Sequence, residues 1–308
     1  MSKFKIAVIG VGYLGEFHAQ KYHTNKKVEL IGIVDTNKKR CCEISNILGV
    51  NSYSDYKNIV NIVDAVSIVV PTDLHYKVAK FFIENGKHVL IEKPFATNVN
   101  QAKKLIKLAK QYKVILQIGH LERFNKVFLS LEKNIRNPLF FECNRLSPYK
   151  IRGTEVDVIM DLMIHDLDII LSLNKSKIKS IHANGINVLT NTTDIAHARI
   201  TFENGCVCNL SASRISDKVE RKMRVFQKNA YFSLDYQNYV LDTYNKTESK
   251  GIKKIEKKQV RFIKNDSLNE EIKSFIECIA AKKNPIVSGN DGLAALKYAI
   301  KISNLIKK

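Results

Sequence analysis

The chain has 308 residues with 45% apolar, 8% aromatic and 26% charged side chains, which excludes a disordered chain, a collagen-like repeat and a disulfide scaffold. Its net charge of +20 comes from 50 Lys and Arg against 30 Asp and Glu, but Lys outnumbers Arg 40 to 10 and the excess is spread along the chain, so it reads as background composition and no specific nucleic-acid partner is expected. The longest apolar stretch, 158–173, is broken by Asp161, His165, Asp166 and Asp168, so no membrane span is expected. Six cysteines without a CxxC pair or zinc spacing read as reduced thiols, which points to the cytoplasm and to no metal site.

Residues 3–9 form a short run rich in Ile and Val, Gly10 opens GVGYLG, and 16–22 has helical potential: strand, glycine turn, helix. No small-residue cleavage site follows, so this start is not read as a leader. Further apolar runs at 28–34, 65–70, 88–91 and 114–118 end respectively at Asp35, Pro71, Glu92-Lys93-Pro94 and Gly119. Polar segments long enough for helices separate them, which predicts a parallel sheet with right-handed crossovers and binding groups at the carboxyl ends of its strands. After 122 the pattern changes to a strand at 138–146, a helix at 156–173, and β-like runs at 178–189, 194–202, 206–215, 222–227, 231–236 and 239–244. The lysine-rich run 246–258 reads as a solvated connection between strands, and two helices close the chain at 269–282 and 292–306. The prediction is an α/β protein. A dinucleotide-binding Rossmann domain spans 1–122, and a second α/β domain with a large, open, mostly antiparallel sheet spans 123–308, its last helix able to pack on the first.

Gly10, Gly12 and Gly15 follow a strand, open a helix and precede Asp35 by the spacing of the dinucleotide fingerprint. Gly10 permits the tight turn, Gly12 lets the backbone approach a pyrophosphate, and Gly15 permits close helix packing. The backbone N–H groups near Tyr13 and Leu14 point at the anion along the helix dipole. Asp35 accepts hydrogen bonds from the adenosine ribose hydroxyls and repels a 2′-phosphate, which favours NAD over NADP, although Lys38, Lys39 and Arg40 nearby would soften that preference.

Two other constellations carry chemistry. Pro94 restricts Lys93 to extended or turn backbone, allows a cis bond, and leaves an ammonium group at the carboxyl edge of the sheet, able to hydrogen-bond a substrate hydroxyl. In DLMIHDLD a spacing of four puts Asp161 and His165 on one helix face, where the carboxylate orients the imidazole and fixes its tautomer for use as a base. Taken alone, each also fits a plainer reading: a surface lysine beside a proline, and a helix histidine satisfied by its neighbour.

Together GVGYLG with Asp35, PTDLH (71–75), GKHVLIEKP (86–94), GHLERFN (119–125), DLMIHDLD and PIVSGNDGLAAL (285–296) resemble the Gfo/Idh/MocA family of nicotinamide-dependent sugar oxidoreductases over nearly the whole chain. The resemblance implies a catalytic Lys93, an Asp161–His165 pair that binds and deprotonates the reacting hydroxyl, a cofactor site that also draws on Pro71, Thr72, His75 and Glu92, and a homo-oligomer, dimer or tetramer, built on the open sheet. GHLERFN, DLMIHDLDI, SASRIS (211–216) and KMRVFQKNAYFSLDY (222–236) resemble one subgroup further, the UDP-N-acetylglucosamine 3-dehydrogenases of 2,3-diamino lipid A synthesis. That likeness implies oxidation of a C3 hydroxyl to a ketone, which a pyridoxal-phosphate aminotransferase then consumes. Lys126 stands where the family usually has proline, which puts the local turn in question. A UDP-sugar diphosphate needs cations, and Arg123, Arg145, Lys150 and Arg152 lie in the stretch expected to cross the site. Arg123 and Arg145 are the choices, with Asn125 beside them as a further substrate contact. A free-sugar or inositol dehydrogenase is the alternative within the enzyme class, and a non-catalytic NAD-binding sensor the alternative outside it.

Overall fold

The computed structural model describes residues 3–150, 156–249 and 252–307; Arg152 lies outside them. Contacts divide the chain into two units, Met1–Leu121 with Asp266–Leu293, and Glu122–Asn265 with Ala294–Lys308. The sequence puts 123–308 in one domain, whereas these contacts give 266–293 to the first unit.

In the first unit the elements alternate: β1 (Phe4–Ile9), α1 (Tyr13–Thr24), β2 (Val28–Val34), α2 (Lys38–Leu48), β3 (Asn51–Tyr53), β4 (Ala65–Ile68), α3 (Thr72–Glu84), β5 (His88–Glu92), α4 (Val99–Tyr112) and β6 (Leu116–Gly119). The six strands form one parallel sheet in the order β3-β2-β1-β4-β5-β6. Ala65–Ile68 and Ile6–Ile9 are wholly buried, as expected of parallel strands covered on both faces, which is why they read as continuous apolar runs. The strand missing from the prediction is β3. It is a three-residue edge strand with Asn51 and Ser52 exposed, so it carries no apolar run. The core of this unit joins Ile6, Val8, Ala19, Tyr22 and Ile33 to Ile272, Phe275 and Ile276, which explains why 266–293 belongs here: they form the apolar stripe of a helix at 267–281.

The second unit contains α5 (Lys126–Glu132), β7 (Phe140–Leu146), a π-helical turn Ile159–Met163 leading into α6 (Ile164–Leu173), and seven more strands, β8 (Ile178–Ile186), β9 (Ile195–Phe202), β10 (Val207–Ser213), β11 (Glu220–Gln227), β12 (Ala230–Asp235), β13 (Val240–Ser249) and β14 (Ile252–Arg261). The helix at 267–281 is α7, and α8 (Gly289–Ile306) begins in the first unit and ends in the second. The eight strands run β14-β13-β12-β11-β7-β10-β9-β8, antiparallel except for β7 beside β10. Alternate residues of β7 and β10 are buried, Phe141, Cys143, Cys208 and Leu210 among them, in one core with Ile164, Leu167 and Ile170 of α6. The run 246–258 is not a connection: it lies largely in β13 and β14, paired to each other. Its lysines suit β14 to the sheet edge, where charge discourages pairing with another chain. Among the described residues no helix is long and apolar enough to cross a membrane, and no group of His, Cys, Asp or Glu is arranged to hold a metal ion.

Candidate active site

The carboxyl ends of β1, β2, β4 and β5 gather the fingerprint residues where the strand order reverses, between β1 and β4. Gly10 has φ +87°, and a Cβ there would lie 2.7 Å from the Val69 carbonyl oxygen. A Cβ on Gly15 would lie 1.9 Å from the Gly10 carbonyl oxygen, so the helix start sits directly on the turn. Gly12 differs: it is exposed, has ordinary φ, caps α1 without a side chain, and a Cβ there would meet open space. This is a cradle with room for an anion at the helix N-terminus, with Tyr13 and Leu14 in the first turn.

Asp35 closes β2. Its Oδ2 accepts the Val11 N–H at 2.8 Å and its Oδ1 the Asn37 N–H at 2.8 Å, tying the strand end to the glycine turn. A carboxylate has about four acceptor positions, so two remain for hydroxyl donors. Asp35, Lys38, Cys41, Cys42, Ser52, Tyr53 and Ser54 line a pocket of about 200 Å³. With the glycine turn, these residues fit the adenosine end of a dinucleotide. Arg40 is paired with Glu16 and with Glu43, the latter at 3.1 Å. Pro71 and Thr72 start α3 at the end of β4.

At the end of β5 the peptide bond between Lys93 and Pro94 is cis, and Lys93 is half-buried. Glu92 and His75 depart from the expected cofactor contacts. Glu92 is buried, with Oε1 3.0 Å from His18 Nε2 and Oε2 accepting the Lys93 N–H at 3.3 Å. His75 is buried, with Nδ1 2.9 Å from the Pro94 carbonyl oxygen and Nε2 2.9 Å from that of Val70; burial pulls its pKa down against the pull of those carbonyls. Both side chains therefore support the backbone around Lys93 from beneath.

In the second unit Asp161 lies in the π-helical turn and His165 in the first turn of α6, both half-buried. The Ile164 N–H bonds back to the Ile159 carbonyl, so the turn that carries Asp161 is wider than the regular helix the sequence predicts. Arg145 is 3% exposed. Its Nε and Nη2 donate to the two oxygens of Asp166 at 2.9 and 2.8 Å, and its Nη1 donates to Glu122 Oε1 at 3.0 Å. Burial opposes its charge, but Asp166 and Glu122 outweigh that and hold it firmly protonated. The expected contact of Arg145 with a diphosphate is thus not what its geometry offers. Arg123 is also buried, with Nη1 3.7 Å from Asp168 Oδ1 and its guanidinium over the Phe128 ring. Asn125 is buried too and caps α5, its Oδ1 accepting the Val127 N–H at 3.0 Å, a structural role of its own. Lys126 is the first residue of that helix, a position proline also suits, so the turn survives the change and the retained N–H donates to Asn265 Oδ1 at 3.3 Å. Lys150 is exposed.

His18, Glu122 and Asp166 are the residues sequence reasoning missed. The available signal for His18 was its place among Gly15, Ala19 and Tyr22 on the buried face of α1, where a polar ring needs partners.

A parallel sheet with a glycine cradle, an aspartate at the end of its second strand and a lysine at its carboxyl edge is the arrangement of a dinucleotide-dependent oxidoreductase. Residues 4–120 match the family described as "Oxidoreductase family, NAD-binding Rossmann fold", and residues 141–233 match "GFO/IDH/MocA C-terminal domain". The chain is 37% identical over 305 residues, 98% of its own length and 97% of the relative's, to a UDP-N-acetylglucosamine 3-dehydrogenase of Acidithiobacillus ferrooxidans. A solved structure of UDP-N-acetylglucosamine 3-dehydrogenase GnnA from that organism superposes with TM-score 0.95 at 36% identity, covering 100% of this chain and 98% of that one. A scyllo-inositol 2-dehydrogenase (NAD(+)) of Bacillus subtilis is 26% identical over 97% of this chain and 93% of its own. The chain belongs to the Gfo/Idh/MocA oxidoreductase family and is an enzyme acting on CH–OH groups.

Proposed function

We propose that the enzyme oxidises the C3 hydroxyl of UDP-N-acetylglucosamine to a ketone with NAD as acceptor. The observation that carries this reading is the 37% identity across nearly the full length of both chains, against 26% for the inositol dehydrogenase. NAD is preferred to NADP because Asp35 would repel a 2′-phosphate and Arg40, the nearby arginine, is already paired with Glu16 and Glu43.

NAD, when bound, takes up the hydrogen and two electrons that the alcohol carbon loses. Gly12 and the start of α1 seat its pyrophosphate and Asp35 its ribose, with Pro71 and Thr72 lining the same edge. Lys93 hydrogen-bonds the reacting oxygen and steadies the charge that develops on it. His165 accepts the hydroxyl proton, and Asp161 orients the imidazole. A placed base is worth about 10²- to 10⁴-fold, and correct placement of the carbon supplies much of the remainder. Arg123, whose Nη1 lies 3.7 Å from Asp168 Oδ1, is less tightly paired than Arg145 and so better suited to meet the diphosphate. A cytoplasmic homo-oligomer working ahead of an aminotransferase that consumes the ketone completes the reading.

The test is absorbance of reduced nicotinamide with NAD or NADP against UDP-sugars, free sugars and inositol, with an aminotransferase and glutamate to draw off the ketone. Turnover is expected with UDP-N-acetylglucosamine and NAD. Silence with every UDP-N-acetyl sugar, or turnover of inositol instead, overturns it.

A further inference from the structure

A line of buried polar groups runs beneath Lys93, all within the first unit. Tyr22, Ser67 and His18 are wholly buried and Glu92 is 4% exposed. Tyr22 Oη lies 3.3 Å from Ser67 Oγ, Ser67 Oγ 2.9 Å from His18 Nδ1, His18 Nε2 3.0 Å from Glu92 Oε1, and the Lys93 N–H donates to Glu92 Oε2 at 3.3 Å. One donor direction satisfies the whole line. Burial raises the pKa of Tyr22 and keeps it a phenol, so it donates to Ser67. Ser67 can then donate to Nδ1 of His18 while the His18 Nε2–H donates to Glu92, whose two oxygens accept from His18 and from the Lys93 N–H.

The carboxylate has little freedom. His18 holds one oxygen, and the site of a Cβ on Gly119 is 2.8 Å from Oε1, so only a glycine leaves Glu92 its place. Past Lys93 the Pro94 carbonyl is engaged by the buried His75. The backbone on both sides of the lysine is therefore fastened to imidazoles from α1 and α3, the two helices that start at the carboxyl ends of β1 and β4. As pure stabilisation a buried His–Glu pair is a poor device, because apolar side chains of similar volume often serve as well or better. What the pair supplies that apolar side chains cannot is an acceptor fixed in direction for the Lys93 N–H.

We propose that His18 and Glu92 are positioning residues that set the backbone of Lys93, with Glu92 acting beneath the cofactor site and not as a cofactor ligand. The inference rests on the reading of Lys93 as the group that holds the reacting oxygen. His18→Asn is expected to lower kcat about 10- to 100-fold, the cost of losing an outer partner or of a small misplacement, while the Kd for NADH measured by fluorescence stays within about threefold. In a Lys93→Met background the same change should lower the residual rate no further. Equal losses in both backgrounds, an unchanged kcat in the single variant, or a loss explained by NADH affinity overturns the proposal. Should His18→Asn fail to fold, Glu92→Gln keeps the volume and is read the same way. Wild-type kcat in Lys93→Met would instead strike at the role of Lys93 itself, so the two failures are told apart.

Discussion

Arg145 grips both oxygens of Asp166, Nε to Oδ2 at 2.9 Å and Nη2 to Oδ1 at 2.8 Å, and so fastens β7 to the first turn of α6, one residue beyond His165. A third bond to Glu122 completes a buried cluster of one cation and two carboxylates. Removing one partner of such a cluster leaves a charge in the interior, at a cost of about 3–5 kcal/mol. Arg145→Ala is therefore expected to lower the melting temperature steeply, and Arg145→Lys, which loses the planar fork, to lower it as well. A calorimetric titration with UDP on the folded Arg145→Lys protein should give a Kd close to wild type. A weakened UDP Kd with an unchanged melting temperature would return this arginine to the diphosphate.

The glycine fingerprint was legible because its physics is local. Turn, strand end and Asp35 all lie in one short βαβ stretch, and the apolar runs of a doubly covered sheet stand out by themselves. The partners of side chains that meet across long stretches of sequence were not legible in it. Glu92 meets His18, 74 residues away, and Arg145 meets Glu122 and Asp166, 23 and 21 residues away. From sequence a charged residue in a binding motif faces the ligand by default, and only the fold reveals that its charge is already matched. Asn125 is the same case on a shorter scale, a motif residue whose amide oxygen caps the helix that follows it. Edge strands β3 and β14 escaped because an edge carries polar residues where an interior strand carries a core.

Gly12 and Gly15 should separate binding from folding. At Gly12 a Cβ meets open space with ordinary backbone, so Gly12→Ala is expected to cost at most about 1 kcal/mol, the loss of a favourable N-cap residue. The added methyl fills the cradle and should weaken NADH binding about tenfold or more, since backbone approach is what the position provides. At Gly15 the Cβ meets a backbone oxygen at 1.9 Å that cannot swing aside, so Gly15→Ala is expected to destabilise the unit by about 1–3 kcal/mol. Thermal melts beside fluorescence titration distinguish the two. Equal loss of stability in both variants would contradict the geometry.

The proposed role of Asp35 in choosing the dinucleotide can be tested directly. Replacing its charge in Asp35→Asn removes the repulsion of a 2′-phosphate and weakens its charge-assisted hydrogen bonds, each worth about 1.5–3 kcal/mol. NADH affinity should fall about 10- to 100-fold and the ratio of NADPH to NADH affinity should rise. Parallel titrations with the two reduced cofactors give that ratio directly, and an unchanged ratio would remove Asp35 from the ribose site.

Asp194 makes the acid limit of stability predictable. It is fully buried, and its oxygens accept the N–H groups of Val188, Leu189 and Thr190 at 2.8, 2.7 and 2.9 Å and the Thr190 hydroxyl at 2.7 Å. Burial alone would raise its pKa, but these four donors outweigh it and bring the value down to about 2. A carboxylate depressed in the folded state contributes stability that is present above its unfolded pKa, near 4, and is lost as pH falls toward about 2. The stabilisation is on the order of 2 kcal/mol. Asp194→Asn should therefore cost about that much at neutral pH, and the gap between wild-type and variant stability should close as denaturation is repeated from pH 4 to pH 2. A gap that stays constant over this range would show that the four donors do not hold the charge of Asp194.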